Sequence, residues 1–242
     1  MEFLPTLWLI PARGGSKGIP DKNIKPFCGT PLVIKALSQA QTCASPDDTI
    51  FVSTDSQKIK ALVEENGVPV PFMRPDELSG DTASTYSAIM HALDEFGKRG
   101  KEFSRIVLLQ PTSPFRNVDD IKGALALWTP SLDMVVSVCE ARTNPYYSAF
   151  EENSEGFLKI SKGNGEFTRR QDAPSVVEYN GAVYVISVSS LEKGPFSSFS
   201  RILPYRMETA RSIDLDTPED WLIAEYLYTK TKGDNLAGRT LL

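Results

Sequence analysis

The chain has 242 residues, of which 41% are hydrophobic and 24% charged; this is an ordinary globular composition, with enough length for one domain and a sizeable core. A formal net charge of −5 argues against a nucleic-acid footprint, yet allows a local cationic pocket for a small anion. No apolar run approaches the roughly 20 residues of a membrane span.

The segment Met1 to Leu9 has no basic n-region and is broken by Pro5, so no signal peptide is expected. Cys28, Cys43 and Cys139 are widely spaced and odd in number, which points to reduced thiols in a cytoplasm rather than a disulfide framework or zinc site.

In chain order, the first element is an apolar strand, Leu7–Ile10, feeding the loop Pro11-Ala12-Arg13-Gly14-Gly15-Ser16-Lys17-Gly18. Glycines let the backbone turn tightly and approach a ligand, while Arg13, Ser16 and Lys17 offer charge and a hydroxyl to an anion. The loop has neither Walker A nor Gly-x-Gly-x-x-Gly spacing. A plain glycine turn is the alternative, although such a turn has no use for two cations.

Thr30 and Pro31 read as the N-cap and first residue of a helix toward Gln41. A strand over Thr49–Ser53 then ends at Ser53-Thr54-Asp55, and helices are predicted over Ser56–Glu65, Thr82–Phe96 and Val118–Trp128. His91, the single histidine, falls mid-helix and reads as packing or surface rather than chemistry. Further strands are predicted over Arg105–Leu109, Met134–Cys139, Ala182–Ile186 and Arg201–Pro204. This alternation predicts an α/β fold with an open, mostly parallel sheet, whose ligands bind beyond the carboxyl ends of the strands. The glycine loop, Ser53-Thr54-Asp55 and Gln110-Pro111-Thr112-Ser113 would share that edge. The last of these reads equally as a rigid proline turn.

Between about 144 and 177 the pattern turns polar and aromatic, suggesting an insertion that serves as a lid or dimerisation arm. Within it, Gly163-Asn164-Gly165 reads as the apex of a hairpin joining 157–160 to 166–168. Arg169 and Arg170, with Gln171, can grip a carboxylate or phosphate, or stand as a solvated charge pair. Asp214 and Asp216 are spaced i, i+2 in an extended segment and face one side, where they can hold Mg²⁺. An isolated Asp-x-Asp is also common as two solvated residues before a helix. Thr217 and Asp220 resemble a capping box with Pro218 at the first helical position. The tail from Lys232 lacks periodicity and is expected to be mobile.

Taken in order, eight motifs resemble the acylneuraminate cytidylyltransferases over about residues 7–230. They are the glycine loop, Lys22-Asn23, Val52-Ser53-Thr54-Asp55, Arg74-Pro75 with Asp81-Thr82-Ala83-Ser84-Thr85, Leu109-Gln110-Pro111-Thr112-Ser113-Pro114, Arg169-Arg170-Gln171-Asp172, Asn180-Gly181-Ala182-Val183-Tyr184 and Ser212-Ile213-Asp214-Leu215-Asp216-Thr217. The resemblance implies a Rossmann-like nucleotidyltransferase fold, with helices on both faces of the sheet and a small dimerisation arm, in a single domain over 1–242. It implies transfer of CMP from CTP to the anomeric hydroxyl of a nonulosonic acid with Mg²⁺, in a homodimer; the composition adds the expectation of a cytoplasmic protein without nucleic-acid or membrane partners.

By the same motifs, Ala12, Arg13, Gly14, Gly15, Ser16, Lys22, Asn23, Arg74, Asp81, Ser84 and Thr85 would hold the nucleotide, with Arg13 and Lys17 on the triphosphate. Gln110, Arg170, Gln171, Asn180 and Tyr184 would meet the sugar acid, Asp214 and Asp216 the metal, and Arg169 would be catalytic. Legionaminic acid, 8-amino-Kdo and Kdn are alternative acceptors. Simple Kdo ranks lower, because Kdo enzymes usually lack this form of the loop. A metal-dependent glycosyltransferase and a nucleotide-binding regulator without turnover are the more distant readings.

Overall fold

A computed structural model describes residues 5–80 and 83–236. The strands are β1 (Thr6–Pro11), β2 (Pro26–Phe27), β3 (Thr30–Pro31), β4 (Thr49–Ser53), β5 (Arg105–Leu109), β6 (Met134–Glu140), β7 (Phe150–Glu152), β8 (Leu158–Ile160), β9 (Val177–Ser187) and β10 (Ile202–Arg206). The helices are α1 (Leu32–Cys43), α2 (Gln57–Glu65), α3 (Thr85–Gly97), α4 (Val118–Leu127), α5 (Val188–Leu191) and α6 (Pro218–Leu236). Among the described residues no helix is long and apolar enough to cross a membrane.

The central sheet has the order β10-β6-β9-β5-β1-β4. It is parallel except for β9, which runs antiparallel to both β5 and β6. Leu7, Trp8, Leu9 and Ile10 of β1 are all buried, as expected for a strand covered on both faces. Helix α1 carries the β1-to-β4 crossover, and α3 lies on the return from β4 past β1 to β5. Right-handed connections therefore put α1 and α3 on opposite faces. Helix α1 buries Leu32, Val33, Ala36, Leu37 and Ala40, the i, i+4, i+8 stripe of an amphipathic helix. The mixed α/β architecture is as the strand–helix alternation predicts.

A second, smaller core positions the site. Ile19, Phe27, Leu32, Leu215, Trp221 and Ala224 pack together, with Phe27 edge-on to Trp221 at 5.4 Å between centroids. The glycine loop (through Ile19), the β2–β3 hairpin and the segment before α6 (through Leu215) thus share one apolar anchor, although they lie almost two hundred residues apart.

Local expectations fare unevenly. Strands β4 and β5 have the predicted bounds, and Ser56 caps α2 by accepting the Ile59 N–H. Thr30 is not a helix cap. It pairs with Phe27 across the β2–β3 ribbon, and Pro31 takes the cap position. Helix α3 starts at Thr85 with Ser84 as its cap; the predicted first residue, Thr82, lies outside the described residues. The hairpin of the insertion is also displaced. It joins β7 to β8, so Glu166, Phe167 and Thr168 form no strand. Helix α6 runs to Leu236, so the tail's first residues extend it, and 237–242 lie outside the described residues. His91 sits in α3 with its ring edge-on to Phe72 at 5.6 Å, and burial lowers its pKa, in keeping with a packing role.

Candidate active site

A cavity of about 450 Å³ opens at the carboxyl end of the parallel strands, within the usual size range for a small-ligand site. The glycine loop forms one wall, through Arg13, Ser16, Lys17 and Gly18, followed by Lys22 and Asn23. Arg74, Ser79 and Gly80 form a second wall, beside Ser84 and Thr85 at the start of α3. Gln110 to Thr112 and the acid pair Asp214 and Asp216 close the third. One space therefore gathers residues from five of the eight predicted motifs.

Backbone contacts fix the loop's shape. Ala12 N–H donates to the Ser53 carbonyl (2.9 Å), continuing the β1–β4 ladder for one residue. Gly14 N–H then donates to Asp55 Oδ1 (2.8 Å). Asn23, itself buried, donates from Nδ2 to the Arg13 carbonyl (2.9 Å) and so fixes the residue that presents the guanidinium. Gly14 and Ala12 thus serve the loop's geometry rather than the cavity wall. The sequence places Asp55 at this edge and within a motif, but gives no sign that it accepts from the loop backbone.

The second wall is cationic and partly unsatisfied. Arg74 is 7% exposed and donates from Nε to Ser79 Oγ (3.0 Å). Its Nη2 is buried without a hydrogen-bond partner among the described residues. Burial pulls the Arg74 pKa down, Asp55 pushes it back up, and the neighbouring Arg13 lowers it further. A buried donor left open beside another cation is a site short of an anion. Ser79 also accepts from Arg13 Nη1 through its carbonyl (3.5 Å). Its stretch, Asp76 to Gly80, carries no motif signal. Asp81, assigned to the nucleotide by resemblance, lies outside the described residues.

Across the cavity, Leu215 points into the small core while the acids on either side of it line the space, as the i, i+2 spacing requires. Leu215 N–H donates to the Thr112 carbonyl (3.0 Å), tying the acid segment to the end of β5. Burial is the main cause of a raised Asp214 pKa; the Thr112 hydroxyl opposes it and the Asp216 charge adds to it. Lys22 Nζ donates to the Leu215 carbonyl (2.6 Å) and pairs with Asp216 Oδ1 (3.3 Å). Thr217 and Asp220 exchange hydrogen bonds as a capping box and set the entry to α6.

A half-buried carboxylate next to a like charge is a place for a cation. Among the described residues no three acids, histidines or cysteines cluster as a metal site. The donor set here is the pair of carboxylates alone. That suits Mg²⁺, which commonly takes one or two protein carboxylates and completes its shell with water and substrate phosphate.

The remaining predicted residues lie elsewhere. Arg169 is exposed and forms a two-point ion pair with Asp172 (2.7 and 3.1 Å). Arg170 pairs with Glu140 (3.0 Å), and Gln171 is exposed beside it. Asn180 is buried and spends its side chain on Ser137 (2.6 Å) and Ser212 (2.9 Å), bracing β9 against the segment leading to Asp214. Tyr184 is buried in β9 with its ring stacked on Phe196; burial, then Asp214, pushes its pKa up to about 12. None of these five lines the cavity.

Residues 7–226 match a family model described as cytidylyltransferase. The chain is 30% identical to a CMP-N,N'-diacetyllegionaminic acid synthase of Legionella pneumophila, over 91% of this chain and 95% of that one. It is 35% identical to an N-acylneuraminate cytidylyltransferase of Streptococcus agalactiae over 88% of this chain, which spans about half (51%) of that longer protein. A solved CMP:2-keto-3-deoxy-manno-octonic acid synthetase complexed with CTP superposes with a TM-score of 0.68 at 16% identity, over 94% of this chain and 99% of that one. That likeness bears on the fold. With the family model matching nearly the whole chain and curated relatives agreeing with it, the chain belongs to the cytidylyltransferase family of nucleotidyltransferase enzymes.

Proposed function

We propose that the protein transfers CMP from CTP to the anomeric hydroxyl of a nonulosonic acid and releases pyrophosphate. One observation carries the reading: Arg13, Lys17 and the open Nη2 of Arg74 face the same cavity as Asp214 and Asp216. A triphosphate laid along the cationic walls would bring its α-phosphate toward the acids. The curated relatives, named for legionaminic and acylneuraminic acids, support the acceptor class.

Catalysis then rests on positioning and charge. The acceptor hydroxyl displaces pyrophosphate in line at the α-phosphorus, and Arg13 and Lys17 balance the charge that gathers on the leaving group. Asp214 and Asp216 would hold Mg²⁺, whose charge offsets that of the phosphates. Arg169 keeps its proposed part in turnover on the family motif alone. A kcat of Arg169→Ala within twofold of the parent removes it. The proposed homodimer would use the β7–β8 ribbon, where Phe150, Phe157 and Leu158 stand exposed. Light scattering showing only monomer at micromolar concentration counts against it.

The test is pyrophosphate release from CTP with a panel of sugar acids: N-acetylneuraminic, legionaminic, Kdn and 8-amino-Kdo. Release that requires both CTP and a nonulosonic acid is expected. CTP binding without release under every condition would make the protein a binder rather than an enzyme of this reaction.

A further inference from the structure

Arg116 stands in no motif assigned above, yet it is 3% exposed beneath the acceptor side of the cavity. A buried guanidinium has five N–H donors to satisfy and no water to satisfy them. Here Nη1 donates to two backbone carbonyls, Gln110 (2.9 Å) and Ala182 (2.7 Å). Nε donates to Gln39 Oε1 (2.9 Å), and Gln39 returns a hydrogen bond from Nε2 to the Arg116 carbonyl. Burial lowers the Arg116 pKa to about 10, with Asp120 holding it up against that loss, so the group stays cationic at neutral pH.

The two carbonyls matter because of where they sit. Gln110 is the first residue past the end of β5. Ala182 lies where the β6–β9 register shifts, beside Gly181 at φ +73°. Sheet pairing is interrupted at both places, so each carbonyl needs another donor. Gly181 also packs under the Gln110 side chain: a Cβ there would lie 2.7 Å from Gln110 Oε1. Arg116 therefore clamps together the two backbone turns between which the Gln110 side chain is aimed into the cavity.

We infer that Arg116 is a positioning residue for the acceptor subsite, setting the orientation of Gln110 without touching either substrate. The inference rests on the proposed reaction, in which Gln110 meets the sugar acid. It separates the two substrates: among the described residues of the CTP walls, Arg13 to Asn23 and Arg74 to Thr85, none makes these contacts with Arg116.

Arg116→Lys keeps the charge but loses the planar fork that holds both turns through Nη1 and Gln39 through Nε at once. Its acceptor KM is expected to rise about tenfold or more, since small misplacement of a binding group is costly, while the KM for CTP stays within twofold. Simple loss of structure would lower the active fraction, and with it kcat, leaving both KM values alone; that result overturns the inference. Gln39→Met removes only the outer partner of the clamp and guards against a misfolded lysine variant. It is expected to raise acceptor KM in the same direction by a smaller factor, and an unchanged value in folded Gln39→Met overturns the inference equally. The parent is assayed alongside. Silence of the parent with every acceptor overturns the reaction and the inference with it, whereas parent turnover with unshifted variants overturns the inference alone.

Discussion

Replacing Asp214 with Asn is expected to make the protein more stable and nearly inactive at once. Asp214 is held in a half-buried wall where burial and the adjacent Asp216 raise its pKa, with Thr112 and Lys22 only partly offsetting them. A raised folded pKa means that folding favours the protonated acid. The stabilising contribution is therefore present below the ordinary carboxylate range and lost as pH rises through the raised value. At neutral pH the ionised group is a net cost, and an amide of the same shape removes it. Melting of Asp214→Asn at neutral pH should lie above the parent, and the gap should close as the buffer is acidified. Turnover with Mg²⁺ should fall about 100-fold or more, the rate equivalent of the several kcal/mol that a metal's charge can supply. Addition of CTP with Mg²⁺ should raise the parent's melting temperature more than the variant's, because a ligand stabilises only in proportion to its affinity for the folded form. A variant less stable than the parent at neutral pH would show that Asp214 makes structural contacts outweighing its desolvation.

This opposition between stability and function also explains which features could be read from the chain. Fully buried strands such as β5 announce themselves, because Ile106 to Leu109 is an unbroken apolar run with few alternatives. Helix α4 is equally legible, since Asn117 and Asp120 form a reciprocal capping box at its start. The insertion was less so because it contains two turn signals of similar quality. At Asn153, Oδ1 accepts the N–H groups of Glu155 and Phe157, and Gly156 takes φ +84°. At Asn164, Oδ1 accepts from Glu166, between two glycines also at positive φ. Both are real turns. Only the first has strands on either side that reach each other, and pairing over that distance is not a local property. In the same way Thr30-Pro31 reads as a helix start until Phe27 supplies a partner strand.

The site divides along the same line. Charged residues in a glycine loop and an acid pair are visible as chemistry, and the structure brings Arg13, Lys17, Asp214 and Asp216 to one cavity. The contacts that hold them there are not visible in the sequence. Asp55 accepts the Gly14 N–H, the Ser79 carbonyl accepts from the Arg13 guanidinium, and Arg116 donates to the Gln110 carbonyl, all pairings that only the fold supplies. Conversely, Asn180 is visible within a motif, but its hydrogen bonds brace the sheet rather than face the cavity.

Gly18→Ala is expected to disable the site although it removes no functional group. A Cβ built on Gly18 would lie 2.2 Å from the Asp216 carbonyl oxygen, a backbone atom that cannot swing aside as a side chain would. The glycine is required by this close approach and not by its dihedral angles, since it does not adopt a positive φ. To admit one methyl group, either the cation loop or the acid segment must withdraw by about an ångström. Both are pinned by the small core through Ile19 and Leu215, and Lys22 bridges them at the Leu215 carbonyl. Overpacking of this kind costs about 1–3 kcal/mol, equivalent to a fall in Tm of roughly 2–12 °C at this chain length. The loss in turnover should be larger, about 100-fold, because a shift of that size separates the cations that balance pyrophosphate from the acids that would hold the metal. Gly97→Ala provides the control: its Cβ would meet nothing within 4 Å at the end of α3, so stability and turnover should hold. Thermal melting and pyrophosphate release measured on both variants decide the matter. Full activity in Gly18→Ala would mean that the two segments can part by an ångström without consequence, and that the cations and the acids do not act on the same substrate.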